Sequence, residues 1–186
     1  MIEAYVMDEK IDYDGSQISS LWAYSAFGIK SDSIIAFRGA CDVFPEHMID
    51  LEDLRQNESI ESPDMLHFIV EHFDSTDLKL VYARQRLLTT IFASVLVDEG
   101  LTVEREGDDL FVNEKKLSIS IASTSAISQK IHFGVNVSHD FYGNLIDAGM
   151  SEGQAINLLG VVSEKYAFEM EDIEADLRKS RQLGVI

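Results

Sequence analysis

Residues 108–137, DDLFVNEKKLSISIASTSAISQKIHFGVNV, decide the fold. They read as three strands. Leu110 to Asn113 is short and apolar, and Asn113-Glu114-Lys115 carries turn chemistry, because Asn tolerates a left-handed backbone. From Lys116 the chain alternates. Leu117, Ile119 and Ile121 point one way, and Lys116, Ser118, Ser120 and Ala122 the other, the period-two pattern of a half-buried strand. After a Ser/Thr-rich loop from Ser123 to Ser128, Ile131, Phe133, Val135 and Val137 alternate with His132, Gly134 and Asn136. If the two strands share a sheet, their apolar sets share a core. The opposite face then gathers Lys116, Ser118, Ser120, His132 and Asn136, a lysine among small polar residues with room for a ligand. The plainer reading of the same face is the solvated side of an antiparallel sheet.

Working outward, Ile2 to Ile11 reads as an opening strand, and Asp14-Gly15-Ser16-Gln17 as the capped start of a helix carrying Ile18, Leu21, Trp22 and Ser25 on one face. Ser33 to Phe37 is a buried strand ending at Arg38-Gly39. Met65 to Phe73 is another, with His67, Ile69 and Glu71 on one face. Leu80 to Asp98 has helical 3-4 spacing and a stop at Gly100. Ser151-Glu152-Gly153-Gln154 is a capping box, and a stripe from Ile156 through Leu159, Val162, Tyr166, Met170 and Ile173 to Leu177 marks a long terminal helix. These elements predict an α+β fold, a mixed, largely antiparallel sheet flanked by helices, in one domain over residues 1–186. The apolar residues of the last helix exceed what one sheet edge needs, which predicts a homodimer.

Charge narrows the partners. With 33 acidic and 15 basic residues the net charge is −18, which repels nucleic-acid phosphates and anionic membranes, so neither is an expected partner. The one cysteine, Cys41, excludes an intrachain disulfide and a Cys-type zinc cluster. MIEAYVMDEK lacks the basic and apolar regions of a signal peptide, and the nearly apolar stretch Leu87 to Val97 is short for a bilayer. A cytoplasmic protein is the expectation.

No Walker loop, GxGxxG, GxSxG or HExxH is present. Glu46, Asp50, Glu52 and Asp53, with His47, supply hard oxygen ligands for a divalent cation such as Mg²⁺, although the spacing matches no EF-hand loop and a solvated acidic loop is commoner. Cys41 near Arg38 is either an activated nucleophile or a buried structural thiol. His67 and Glu71 are either an acid–base pair or packed sheet residues.

The segments RGACDV, EHMIDLEDL, MLHFIVEHF, ARQRLL, GDDLFVNEKKLSISIAS and HFGVNV resemble an uncharacterised archaeal family known as domain of unknown function three-six-six, which implies no activity. GDDLFVNEKKLSISIAST with KIHFGVNVS also resembles the central region of biotin–protein ligases, lipoate–protein ligases and octanoyltransferases. That resemblance implies a sheet related to class II aminoacyl-tRNA synthetases. It implies Lys116 as the active-site lysine contacting an acyl carboxylate or its adenylate, and ATP with Mg²⁺ as cofactors. Three departures stand out. Ile119 replaces the small residue expected three positions after the lysine; no Arg- and Gly-rich phosphate-binding stretch lies between Arg38 and Asp64, which counts against ATP; and Ala148 stands where octanoyltransferases carry the acyl-accepting cysteine. The expected function is acyl or carboxylate binding or transfer with Lys116 catalytic. Arg38, Cys41, His67, Ser118, Ser120, His132 and Asn136 are the expected ligand-binding set. The alternatives are a non-catalytic binding protein of the same fold and a metal-dependent enzyme using the acidic loop. Arg38, Cys41 and that loop are expected beside Lys116.

Overall fold

The structure is a computed structural model and describes residues 2–56, 58–181 and 183–184. Its main sheet has five strands in the order β1-β2-β3-β8-β7: β1 (Ile2–Val6), β2 (Asp32–Asp42), β3 (Glu61–His72), β8 (Gln129–Ser138) and β7 (Ser118–Thr124). β1 runs parallel to β2 and the other pairs are antiparallel. A small three-stranded sheet, β4 (Glu104–Glu106), β5 (Asp109–Val112) and β6 (Lys115–Lys116), adjoins it. Among the described residues there are four α-helices: α1 (Trp22–Phe27), α2 (Leu51–Gln56), α3 (Leu78–Asp98) and α4 (Glu152–Lys179). This is the mixed, largely antiparallel sheet with flanking helices that the patterning predicts.

The sheet is buried on both faces, not one. Ile34, Ala36, Leu66, Phe68, Val70 and Phe133 meet Leu88, Phe92, Leu96, Leu159, Val162 and Tyr166 of α3 and α4. On the other side Ile35, Phe37, Met65 and Ile69 pack against Tyr13, Ala23 and Ile29 of the N-terminal segment. Both His67 and His132 lie in that second layer, which is why β8 is buried over all but its last residue. By length and composition α3 could cross a membrane. Here its buried side, Val81, Leu88, Phe92, Val95 and Leu96, is the core helix of a globular unit.

Local chemistry explains the element ends. Asp77 caps α3 through Leu80 N–H, and Ser151 with Gln154 forms the predicted capping box of α4. Asn113 and Glu114 both have positive φ, 51° and 64°, and form the tight turn of the β5–β6 hairpin. The predicted helix after Asp14 is broken. Asp14 and Gln17 make the expected cap hydrogen bonds, but around a single turn at Ser16–Ile18, and the chain passes through a left-handed Leu21 before α1 begins. Likewise β1 stops at Val6, and the chain rejoins the sheet beside β2 only at Ile11 and Tyr13. β2 continues through Arg38-Gly39 instead of ending there. The stripe on α4 is buried only to Met170; Ile156, Ile173 and Leu177 are exposed.

The largest correction concerns register. Ser118, Ser120 and Ala122 lie opposite Val135, Phe133 and Ile131, while Ile119 and Ile121 lie opposite Gly134 and His132. Ser118 and Ser120 therefore share the helix-facing side, and His132 shares the other side with two isoleucines. The single alternating strand is in fact two, because Leu117 bridges the two sheets: its N–H bonds Leu110 O (2.7 Å) and its carbonyl accepts from Asn136 N–H (3.1 Å). A one-residue shift moves every side chain to the opposite face.

Candidate functional site

Lys116 stands where the small sheet meets the main one, fixed by its carbonyl, which accepts from Gly143 N–H at 2.9 Å. Its ammonium lies 3.0 Å from Asp109 and is partly exposed. It borders a cleft of about 360 Å³ along the free edge of β7, where Asp50, Asp53, Glu58, Glu61, Asp108 and Asp109 also line the wall. Burial, then Asp50 and Glu58, raise the Asp53 carboxyl from its ordinary value, and Lys116 opposes that rise. The cleft shares Asp50, Asp53, Ile60, Ile119 and Ser120 with a deeper pocket of about 60 Å³. Tyr13, Val43, Ile119, Ile121 and His132 wall that pocket, and residues 47–53 cover it.

The acidic loop thus does lie beside Lys116, but it does not form a cation cage. Glu46 is in a short helical turn, Pro45–His47; Glu52 and Asp53 are in α2, and Asp50 caps that helix through Glu52 N–H (2.8 Å). The helix turns the carboxylates in different directions. Among the described residues, the set with three ligand atoms mutually within 4.8 Å is Asp32, His72 and Asp74, which sequence patterning misses. Its groups are already engaged: His72 bonds Asp32 (3.1 Å) and the Tyr166 hydroxyl (2.9 Å), and Arg84 clamps Asp74 with two bonds. A cation there would have to displace Arg84.

The other predicted ligand residues divide clearly. Arg38 turns toward α4, where Asp64 grips it twice (2.8 and 2.5 Å) and Glu152 once (2.7 Å), so it is not in the Lys116 cleft. Cys41 is sealed in the second core with its thiol pushed up to about 12, first by burial and then by Asp42; it is no thiolate nucleophile. Ser118 accepts from Leu110 N–H, and Ser120 joins Gln85 to the His132 carbonyl. Asn136 links Ser62 to the Gly143 carbonyl. These three border the cleft, but their polar groups are engaged: Ser118 ties the main sheet to the small one, Ser120 ties β7 to α3 and β8, and Asn136 ties β8 to β3 and to residue 143. His67 and Glu71 do not pair. Glu71 takes Lys130, Ser128 and Leu21 N–H, whereas His67 bonds His132 (Nδ1 to Nε2, 3.1 Å) and the Gly39 carbonyl (3.3 Å).

Tyr13 stacks on His132 at 3.7 Å between ring centres. It is a site residue that the sequence hides, since no periodicity marks it. Burial lowers His67 from 6.5 to about 4 and holds His132 well below its ordinary value, so both rings are neutral at pH 7. The sign follows from linkage. The unfolded chain takes up protons first as pH falls through 6.5, so stability is lost from there down to the folded value near 4. Between pH 7 and 5, His67 alone is expected to cost about 2 kcal/mol. Melting curves at both pH values check this: His67→Gln should show a smaller acid-induced drop than wild type, and an equal drop would refute the assignment.

Comparisons extend these findings. An uncharacterized protein of Methanocaldococcus jannaschii, MJ0805, is 40% identical over 184 residues, covering 94% of this chain and 82% of that protein. A protein of unknown function from Pyrococcus horikoshi superposes with a TM-score of 0.91 at 37% identity, covering 98% of this chain and all of the other. The bipartite lipoate protein ligase of Thermoplasma acidophilum superposes at 0.59 with 15% identity, over 90% and 84% of the two chains. At that identity the likeness shows the fold, which is that of the lipoate and biotin protein ligases. With a family model matching residues 2–181, the chain belongs to the family described as domain of unknown function DUF366.

Proposed function

We propose that this chain is a cytoplasmic small-molecule-binding protein on a ligase-like fold, which holds the carboxylate of its ligand on Lys116 and the apolar body in the pocket behind. The observation that carries this reading is that the acidic cleft containing Lys116 opens against an apolar pocket walled by Ile119, Ile121 and Tyr13. Lys116 has a displaceable partner in Asp109, and a ligand carboxylate can take its place. The same cleft suits a nucleotide less than a single carboxylate: a triphosphate brings several negative charges and needs cations or a glycine-rich cradle, whereas six carboxylates and one lysine line this wall. Nearby arginines are committed, Arg38 to Asp64 and Arg86 to Asp108. Binding without nucleotide-driven transfer is therefore the reading the geometry favours. The acidic rim supports a second reading, in which the polar end of the ligand is an amine.

Thermal shift and calorimetry with octanoate, octylamine and Mg-ATP separate these readings. Octanoate is expected to stabilise the protein on its own, with no added effect of Mg-ATP. Lys116→Ala should weaken octanoate binding roughly tenfold to a hundredfold, the loss of one charge-assisted contact of about 1.5–3 kcal/mol. Its cost in stability should be below about 0.5 kcal/mol, because the Asp109 pair is exposed. Unchanged octanoate affinity in Lys116→Ala removes the carboxylate role. Stabilisation by octylamine alone favours the second reading, and stabilisation by Mg-ATP restores a ligase.

A further inference from the structure

We infer that His132 Nδ1 is a fixed hydrogen-bond acceptor inside the apolar pocket, and that it selects a ligand whose head carries an O–H or N–H donor among apolar atoms. The inference rests on the same pair of adjoining pockets as the proposed function but concerns the one remote from Lys116.

The argument follows the protons. The Gly39 carbonyl can only accept, so His67 must present Nε2–H to it. A neutral His67 then has a bare Nδ1. That nitrogen faces His132 Nε2 at 3.1 Å, so His132 must be the donor in that bond. One ring proton on His132 is thereby placed on Nε2, and its Nδ1 is left with a lone pair. A backbone carbonyl two strands away thus sets the tautomer of the residue at the pocket wall.

Nothing in the protein uses that lone pair. His132 is only 2% exposed and lines the pocket. Its Nδ1 has no hydrogen-bond partner among the described residues, and it is not among the sealed polar atoms lacking one, which are Ser33 Oγ and Ser163 Oγ. Two polar neighbours have other duties: Ser120 Oγ donates to the His132 backbone carbonyl, and His47 Nδ1 bonds the Asp14 carbonyl. The depressed proton affinity of both rings agrees with a neutral relay. Tyr13 covers one face of the imidazole, so the ring cannot swing away. A pocket of about 60 Å³ has room for more than a single water. Water can donate to Nδ1, but an alcohol or amide head also replaces the solvent against Ile119 and Ile121.

The test uses two isomeric probes without a carboxylate, 1-butanol and methyl propyl ether, so that Lys116 plays no part. Nitrogen-15 spectra of the imidazoles are recorded on wild type, His132→Phe and Lys116→Ala. The free wild-type protein should show Nε2–H tautomers for both His67 and His132. Butanol should shift the His132 Nδ1 resonance and bind about fivefold or more tightly than the ether, the value of one neutral hydrogen bond. That preference should disappear in His132→Phe and persist in Lys116→Ala. An Nδ1–H tautomer at His132 in wild type overturns the inference even if His132→Phe does not fold, as does equal binding, or equal failure to bind, of the two isomers. Failure of octanoate to bind overturns the carboxylate reading alone and leaves this comparison decisive.

Discussion

Glu71→Ala is expected to lower the unfolding free energy by about 3–5 kcal/mol. Glu71 and Lys130 face each other across β3 and β8, 1% and 2% exposed, with 3.2 Å between charged atoms. Glu71 Oε1 also accepts from Leu21 N–H (2.9 Å), Ser128 Oγ (2.8 Å) and Ser20 Oγ (3.4 Å). Removing the carboxylate strands an ammonium that burial already disfavours and releases Leu21 from a left-handed conformation, φ 63°, that a branched residue adopts only under constraint. Replacing both partners, Glu71→Leu with Lys130→Met, should cost much less than the single change, because no charge is left unpaired. Urea denaturation of the single and double variants measures the difference. A loss below about 1 kcal/mol for Glu71→Ala would mean that water reaches Lys130, and the account of a sealed pair would be wrong.

Gly39→Ala is expected to cost about 3 kcal/mol, the upper end for forced overpacking. A Cβ at Gly39 would sit 1.9 Å from the Ile11 carbonyl oxygen and 2.5 Å from its carbon, both backbone atoms that no rotamer change can move. The segment it would push away is tied to β2 by Ile11 N–H to Arg38 O (3.0 Å) and Tyr13 N–H to Ala40 O (2.8 Å). Tyr13 would move off His132 with it. The damage should therefore reach the pocket as well as the melting temperature. Denaturation gives the first effect, and the His132 ring resonances, which sense the stacked tyrosine, give the second. Stability within about 0.5 kcal/mol of wild type, with His132 unshifted, would show that the Ile11 segment yields freely.

Much of the architecture is legible in the sequence because it depends on near neighbours. The left-handed Asn113-Glu114 turn, the cap at Ser151 and the 3-4 spacing of α3 each rest on residues within one or two turns of one another. Lys116 and the acidic loop are legible as separate features for the same reason. Their meeting in one cleft is not, since about sixty residues of chain separate them and no periodicity encodes the approach. Alternation shows that β7 and β8 have two faces but not which residue opposes which. Here Leu117 crosses between the sheets, and Ser118 comes to lie opposite Val135. That single choice sends Ser118 and Ser120 to the helix side and leaves His132 with Ile119 and Ile121. The covered second face was equally hidden, because β2, β3 and β8 place His, Glu, Lys and Gly there, and those residues read as solvated until a partner is brought to each. His67 finds His132 at a separation of 65 residues, and Glu71 finds Lys130 at 59. Local pattern determined the two long helices, the cap at Ser151 and the centres of most strands, but not α2, β4 or the break after Asp14. Only the tertiary structure decided which buried polar groups are satisfied and which nitrogen is left for a ligand, because a hydrogen bond depends on the distance between two atoms and not on their separation along the chain.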